Sequence, residues 1–184
     1  MRLFLALPVP DAWAAAADGT LAALPAPLRA ELRPIPRAEL HVTLRFLGEL
    51  PASRLSVLEH ALARLLPPVD VTIAPGPAAL LGPSRRERVL ALGATGAGLA
   101  ELAVRAERAA IAAGLPPTDP PFAGHMTIAR VPDGLSAGAR RALAAAVSAL
   151  PPPRAAHARV LAVELMESTG GEPGARYRTV ARYG

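Results

Sequence analysis

Two short segments with the same order of residue types are the part of this sequence that could do chemistry. The pattern His-apolar-Thr-apolar occurs as HVTL at residues 41–44 and again, 84 positions later, as HMTI at residues 125–128. In an extended strand successive side chains alternate faces, so each copy directs its His and Thr to one face and its apolar residues to the other. Each copy therefore has one chemical face and one face suited to a core.

The chemistry that this set suggests is proton transfer around a phosphate. The imidazole pKa of about 6.5 allows His41 and His125 to exist one neutral and one charged near physiological pH, so one can accept a proton while the other donates one. The hydroxyls of Thr43 and Thr127, on the same faces, can donate hydrogen bonds to the two non-bridging oxygens of a phosphodiester. The pattern predicts in-line attack at phosphorus.

Arginines near the motifs could supply countercharge. Strict alternation places Arg45 on the face of His41 and Thr43, whereas Arg130 falls on the opposite face from its motif unless the strand end bulges or twists. Arg85 and Arg86 lie in a charged loop. They could contact an RNA backbone, or they could simply be exposed to solvent, and both interpretations stay open.

Rival interpretations of the motifs are structural or metal-based. A strand histidine can be an ordinary boundary residue, and threonine is common in strands because of its β-branching. Neither motif has a second His, Cys, Asp or Glu two or four positions on, so no metal and no cofactor is expected. The sequence contains no cysteine and no lysine, which excludes a thiolate nucleophile, a disulfide, a P-loop lysine and a Schiff base.

Composition indicates a globular chain with a basic surface. The 184 residues are 52% hydrophobic, which is enough for one domain or two small lobes, and the net charge of +5 comes entirely from arginine. That charge favours a phosphate-rich partner, although a bias toward Ala, Pro and Arg would produce it too. The N-terminal apolar run is too short for a signal sequence and no stretch reaches the 18 apolar residues of a membrane span. We therefore expect a cytoplasmic protein without a membrane contact.

Helix and strand signals are intermixed along the chain. The periodicity predicts strands over 3–7, 40–47, 69–73, 88–92, 122–131, 159–167 and 176–181, and helices over 11–24, 53–66, 98–113 and 136–150. Residues 25–36 and 76–83 are predicted to be irregular because they are rich in proline and glycine, with an extended conformation over 31–35 as an alternative. Short turn-linked strands favour an α+β fold, with antiparallel sheets in two lobes and helices outside. Each half of the chain would hold one motif strand.

The residues around the motifs resemble the two-histidine (2H) phosphoesterase superfamily. Within it they are similar to the RNA 2′,3′-cyclic phosphodiesterases of the ThpR/LigT type, also known as 2′-5′ RNA ligases. The resemblance covers nearly the full length and is carried by residues 2–7, 40–48, 121–130, 165–168 and 174–177. One departure is Gly124, where many relatives have proline before the second histidine.

The resemblance implies a single bilobal domain over residues 1–184. Its two pseudo-symmetric lobes would span about 1–93 and 94–184, and strands could be exchanged between them. The motifs would line a groove between the lobes. His41 would protonate the leaving ribose oxygen, His125 would activate water, and Thr43, Thr127 and Arg130 would hold the phosphate.

The expected activity is metal-independent hydrolysis of a 2′,3′-cyclic phosphate on RNA or a nucleotide to a 2′-phosphomonoester. It would be accompanied by reversible 2′-5′ ligation, with RNA ends or nucleotides as partners and a monomeric protein. Two alternatives remain open: a cyclic phosphodiesterase confined to small nucleotides, and a binding module for RNA or nucleotides that lacks turnover.

Overall fold

A computed structural model describes residues 1–83, 87–119, 121–155, 157–169 and 176–184, and within them it contains nine strands and five helices. The strands are β1 (Arg2–Pro8), β2 (Arg33–Pro34), β3 (His41–Glu49), β4 (Val71–Leu81), β5 (Val89–Thr95), β6 (His125–Arg130), β7 (Ala158–Val160), β8 (Val163–Ser168) and β9 (Tyr177–Tyr183). The helices are α1 (Asp11–Ala22), α2 (Ala26–Glu31), α3 (Leu55–Leu65), α4 (Leu99–Ala112) and α5 (Ala137–Ser148).

The strands form one antiparallel sheet. Its order is β7-β4-β5-β6-β3-β1-β8-β9, and β2 adds a short pairing to β6. The predicted α+β class and the antiparallel pairing are confirmed. Strands from both ends of the chain share one half of the sheet, because β3 pairs with β1, β1 pairs with β8 and β8 pairs with β9. The division into lobes over residues 1–93 and 94–184, with strands exchanged between them, stays a prediction.

The two halves of the sheet meet where the motif strands meet. β3 and β6 are joined through one pair of facing residues, Val42 and Met126. Both side chains are fully buried, as the period-two pattern of each motif predicts. The apolar faces of the motifs therefore hold the two halves of the sheet together. The opposite faces, which carry the histidines and threonines, are left free to form a site.

Helices cover the apolar side of the sheet. In α4 the buried residues recur at helical spacing, so one stripe of Leu102, Ala106 and Ala110 faces the core while α4 packs on α3 and β3. The Ser136 hydroxyl accepts a hydrogen bond from the Ala139 backbone N–H at 3.1 Å, which caps α5 as its sequence predicts. No helix among the described residues is long and apolar enough to cross a membrane.

Three segments differ from the sequence-based expectation. Residues 26–31 form α2, because prolines at the start of a helix need no backbone N–H partner there. Residues 76–81 extend β4, where Pro75 and Pro77 are accommodated at a register shift in a part of the strand that β7 does not reach. The predicted strand 159–167 divides into β7 and β8, which pair with different neighbours. Residues 174 and 175, part of the last motif segment, lie outside the described residues.

Candidate active site

A cleft of about 370 Å³ opens on the polar side of the sheet, at the junction of β3 and β6. Both histidines and both threonines of the motifs line it, and so does Arg130. Its other lining residues are Arg2, Leu3, Phe4, Ile35, Glu39, Phe46, Gly48, Val89, Ser168 and Tyr177. The structure therefore brings together five of the residues that the sequence singled out.

The antiparallel register sets how the two motifs face each other. Since Val42 lies opposite Met126, continuing the pairing by one residue puts His41 across from Thr127 and Thr43 across from His125. The four side chains form a quadrilateral with the imidazoles on one diagonal and the hydroxyls on the other. A phosphate at its centre would meet a hydroxyl donor and an imidazole from each strand.

A bulge in β3 changes the alternation directly after the first motif. Ala6 of β1 pairs with Thr43 and Leu5 pairs with Arg45, so Leu44 is an extra residue on β3. Beyond it Arg45 shares the face of buried Leu5, while the next residue, Phe46, turns to the cleft. The prediction that Arg45 shares the face of His41 and Thr43 is therefore wrong.

Arg45 has structural partners on the opposite side of the sheet. Its Nε lies 2.5 Å from Glu107 Oε2 on α4, and its Nη2 donates to the Pro116 carbonyl at 2.5 Å. The side chain is only 9% exposed. We therefore place Arg45 in the packing of α4 against β3, away from the cleft.

A second bulge occurs at the equivalent place in β6. Ala91 of β5 pairs with Thr127 and Leu90 pairs with Ala129, which leaves Ile128 as the extra residue. Arg130 then faces the cleft beside Val89, its partner on β5. Strict alternation could not place Arg130; the bulge does so, in agreement with the position that the family resemblance implied.

The two bulges make the motif strands equivalent over six residues. Each strand presents its histidine, the threonine two positions on and the residue five positions on: His41, Thr43 and Phe46 from β3, and His125, Thr127 and Arg130 from β6. Phe46 was missed in the sequence because period-two alternation hides it. The signal that could have found it is its spacing from His41, which equals that of Arg130 from His125.

Both imidazoles are held in the same tautomer. Nδ1 of His41 lies 2.7 Å from the Glu39 carbonyl oxygen, and Nδ1 of His125 lies 2.8 Å from that of Ala123. A carbonyl oxygen can only accept, so each Nδ1 carries a proton and donates it. This leaves Nε2 of each ring as the nitrogen available for acid or base chemistry.

Aromatic packing makes the environment of His41 partly apolar. Its ring lies 5.0 Å from the ring of Phe4 and 5.2 Å, edge to face, from that of Tyr177. Burial lowers the pKa of His41 below its usual value, and the nearby His125 acts in the same direction, while Glu39 raises it through its backbone carbonyl and its charge. In the free protein the balance favours neutral His41.

Gly124, the departure from the family pattern, lies against β5. A Cβ atom at this residue would be 2.3 Å from the Ala94 carbonyl oxygen, and the Gly124 carbonyl accepts a hydrogen bond from Ala94 N–H at 2.8 Å. Only glycine permits this close approach. Gly124 thereby sets where β6 begins and hence where His125 stands.

The structure does not test two of the predicted contact residues. Arg85 and Arg86 lie outside the described residues. Within the described ranges, no group of three or more His, Asp or Glu side chains could hold a metal ion.

Known structures match the chain over nearly all of its length. Escherichia coli LigT in complex with 3′-AMP is 25% identical, with a TM-score of 0.76, and the match covers 99% of this chain and 96% of LigT. The protein TT0787 of Thermus thermophilus is 27% identical, with a TM-score of 0.72 and coverage of 100% and 97%. A protein described as a phosphoesterase is 25% identical, with a TM-score of 0.78 and coverage of 99% and 96%.

A comparison with curated proteins gives no match. The sequence profile of the 2′-5′ RNA ligase superfamily, in contrast, matches residues 9–172, a span that contains both motif strands, both bulges and Arg130. Sequence profile, fold and the paired motifs agree, and the chain belongs to the 2′-5′ RNA ligase superfamily of 2H phosphoesterases.

Proposed function

We propose that the protein hydrolyses the 2′,3′-cyclic phosphate of an RNA end or a nucleotide to a 2′-phosphomonoester. The observation that carries this proposal is the equivalence of the two motif strands, which present His41 with Thr43 and His125 with Thr127 to one cleft. Membership of a superfamily of phosphoesterases supports the reaction type. The similar protein LigT forms complexes with 3′-AMP and with ATP, which supports a nucleotide as the ligand class.

In the proposed reaction, water attacks phosphorus in line with the bond to the 3′-oxygen. His125 Nε2 accepts a proton from water as the new P–O bond forms, and His41 Nε2–H donates its proton to the 3′-oxygen as the P–O3′ bond breaks. Thr43, Thr127 and Arg130 hydrogen-bond the oxygens on which charge develops. Acid and base are both imidazoles, so no step calls for a metal-bound water.

The charge state of His41 fits this role once the substrate is bound. Burial lowers its pKa in the free protein, so the acid form is disfavoured before binding. A phosphodiester anion beside the ring favours the imidazolium again. We therefore expect a bell-shaped dependence of kcat on pH, since one imidazole must be protonated and the other neutral in the substrate complex.

The size of the cleft favours a second candidate substrate within the same chemistry. About 370 Å³ lies at the lower end of the range for small-molecule sites, roughly 300 to 1,000 Å³. That space suits a single nucleotide, so 2′,3′-cyclic mononucleotides are candidate substrates beside RNA ends. Ligation through a 2′-5′ linkage would follow from the same attack at phosphorus, with a ribose 5′-hydroxyl in place of water as the nucleophile and the P–O3′ bond breaking as before.

The test uses a 2′,3′-cyclic-phosphate-ended oligonucleotide and 2′,3′-cyclic mononucleotides, with products read by phosphorus NMR in EDTA. We expect a 2′-phosphate product, and a rate loss of about 10²- to 10⁴-fold in each of His41→Ala and His125→Ala. His60→Ala and His157→Ala are matched controls, because both residues are exposed and lie outside the cleft. A 3′-phosphate product, no turnover, or activity that needs an added divalent metal would each refute the proposal.

A further inference from the structure

Glu39 is a buried carboxylate at the edge of the cleft. It ends the 3-10 turn Arg37–Glu39, two residues before His41, and it is 8% exposed. Among the described residues no other Asp, Glu, Arg or His is buried to this degree. A buried charge is unfavourable unless something compensates for it, so this position needs a physical reason.

The polar contacts of Glu39 leave one of its oxygens unused. Oε1 accepts a hydrogen bond from the Arg176 backbone N–H at 3.2 Å, whereas Oε2 is buried without a hydrogen-bond partner. The Glu39 backbone carbonyl accepts from Nδ1 of His41 at 2.7 Å. Folding therefore places a weakly neutralised negative charge next to an imidazole that the same residue already orients.

The other charges around His41 are positive or neutral. Glu39 is the one acidic side chain among the described residues that line the cleft. The remaining titratable or charged groups there, from the strands packed around His41, are Arg2 on β1, His125 and Arg130 on β6, and Tyr177 on β9. Without Glu39, a protonated His41 would face cations only.

From this arrangement we propose that Glu39 is a positioning residue that supports His41 as the proton donor. Its carbonyl fixes the Nδ1–H tautomer of His41, and its carboxylate stabilises the imidazolium whose Nε2–H must protonate the leaving oxygen. The proposal rests on the two-histidine hydrolysis proposed above, in which His41 is the proton donor.

The second motif provides the contrast. The residue that orients His125 through its backbone carbonyl is Ala123, which stands at the same place relative to its histidine as Glu39 does to His41. The two imidazoles thus share a tautomer and a backbone contact, but only His41 has an acidic side chain in that position. Its charge also opposes the effect of burial, which lowers the pKa of His41. This asymmetry adds to the other differences between the two strands, which are the aromatic packing around His41 and the presence of Phe46 in place of Arg130.

The test is an NMR titration of imidazole-labelled protein, which requires no turnover. Glu39→Gln keeps the shape and the Oε1 acceptor but removes the charge, so the pKa of His41 should fall further, by roughly one pH unit. Glu39→Asp keeps a charge at a greater distance and should produce a smaller decrease. Glu164→Gln is the matched control, because Glu164 is half-buried on β8 outside the cleft and hydrogen-bonds Thr179.

Activity provides a second readout. In Glu39→Gln the limb of the pH–rate profile that reports the acid should move to lower pH, and kcat near pH 7 should fall roughly tenfold, the effect of one pH unit, with KM nearly unchanged. A merely structural role for Glu39 would lower the activity without moving that limb.

The outcomes separate this proposal from the proposed function. An unchanged or raised pKa of His41 in folded Glu39→Gln overturns the role of Glu39, even if the protein is an active hydrolase. A lowered pKa in a protein without hydrolase activity supports the coupling and refutes the reaction instead. If Glu39→Gln does not fold, the Glu39→Asp titration decides, since an unchanged pKa there overturns the proposal.

Discussion

Replacement of Phe46 by alanine should weaken nucleotide binding while leaving the fold intact. Its ring is 62% exposed, lies 6.1 Å from the ring of Phe4 and faces the cleft that His41 lines. An exposed aromatic ring beside a phosphate site is suited to stack on a nucleobase. We therefore expect Phe46 to give the proposed substrate a contact that the proposed catalytic residues do not provide.

The magnitude follows from the exposure of the ring. Base–aromatic stacking is worth about 1 to 3 kcal/mol in alanine substitutions, which corresponds to roughly 5- to 150-fold in affinity. The effect on folding should be small, about 1 kcal/mol, because most of the ring is already in solvent and full burial of a phenylalanine contributes only about 1.5 to 3 kcal/mol. Binding should therefore change more than stability.

The assay compares two substrates that differ only in the base. For a 2′,3′-cyclic mononucleotide, Phe46→Ala should raise KM with little change in kcat, whereas for base-free ribose 2′,3′-cyclic phosphate it should change neither. Leu161→Ala is the control, since Leu161 is similarly exposed, at 53%, and lies outside the cleft. Equal losses with both substrates, or no loss with the nucleotide, would refute a stacking role for Phe46.

Other predictions concern stability and positioning. Glu107→Gln should lower the free energy of unfolding by about 1 to 3 kcal/mol in chemical denaturation, because it leaves the mostly buried Arg45 guanidinium without its carboxylate; a change near zero would argue against that ion pair. Burial lowers the pKa of His41 below 6.5, so between the folded and the unfolded pKa the unfolded chain binds a proton that the folded chain does not. The free energy of unfolding should therefore fall as the pH drops through 6.5 and level off below the pKa of the folded state. Denaturation of His41→Gln between pH 5 and 8 should show a shallower slope, and an identical slope would contradict this reasoning. Gly124→Ala should reduce kcat by tenfold or more, because its Cβ would collide with the Ala94 carbonyl and displace His125; a rate within twofold of the parent would show that the backbone can relax there.

The sequence revealed the motifs because their chemistry and their apolar faces are both local properties. Alternation alone indicates that Val42 and Met126 face the core and that His41 and His125 face the other side of the sheet, since it depends only on the geometry of a strand. The α+β class follows from similar local signals. These are the features for which no knowledge of a neighbouring strand is needed.

The features that the sequence could not predict depend on how a strand pairs with its neighbouring strands. The extra residues Leu44 and Ile128 are bulges only relative to β1 and β5, so alternation misplaced Arg45 and hid Phe46. The extension of β4 past Pro75 required knowing that this stretch is not covered by β7.

The paired bulges bear on how this site could be transplanted or altered. A tetrapeptide grafted onto a regular strand of another scaffold would present its histidine and threonine correctly but would turn the residue five positions on toward the core. Deletion of Leu44 would likewise move every residue of β3 beyond it to the opposite face of the sheet. Side chains that now face the core would face the cleft, and side chains that now face the cleft would face the core. The smallest transferable unit is therefore a hexapeptide together with a neighbouring strand that is one residue shorter. Engineering a new specificity here should begin at the fifth residue after each histidine, Phe46 or Arg130, with the bulge before it left intact.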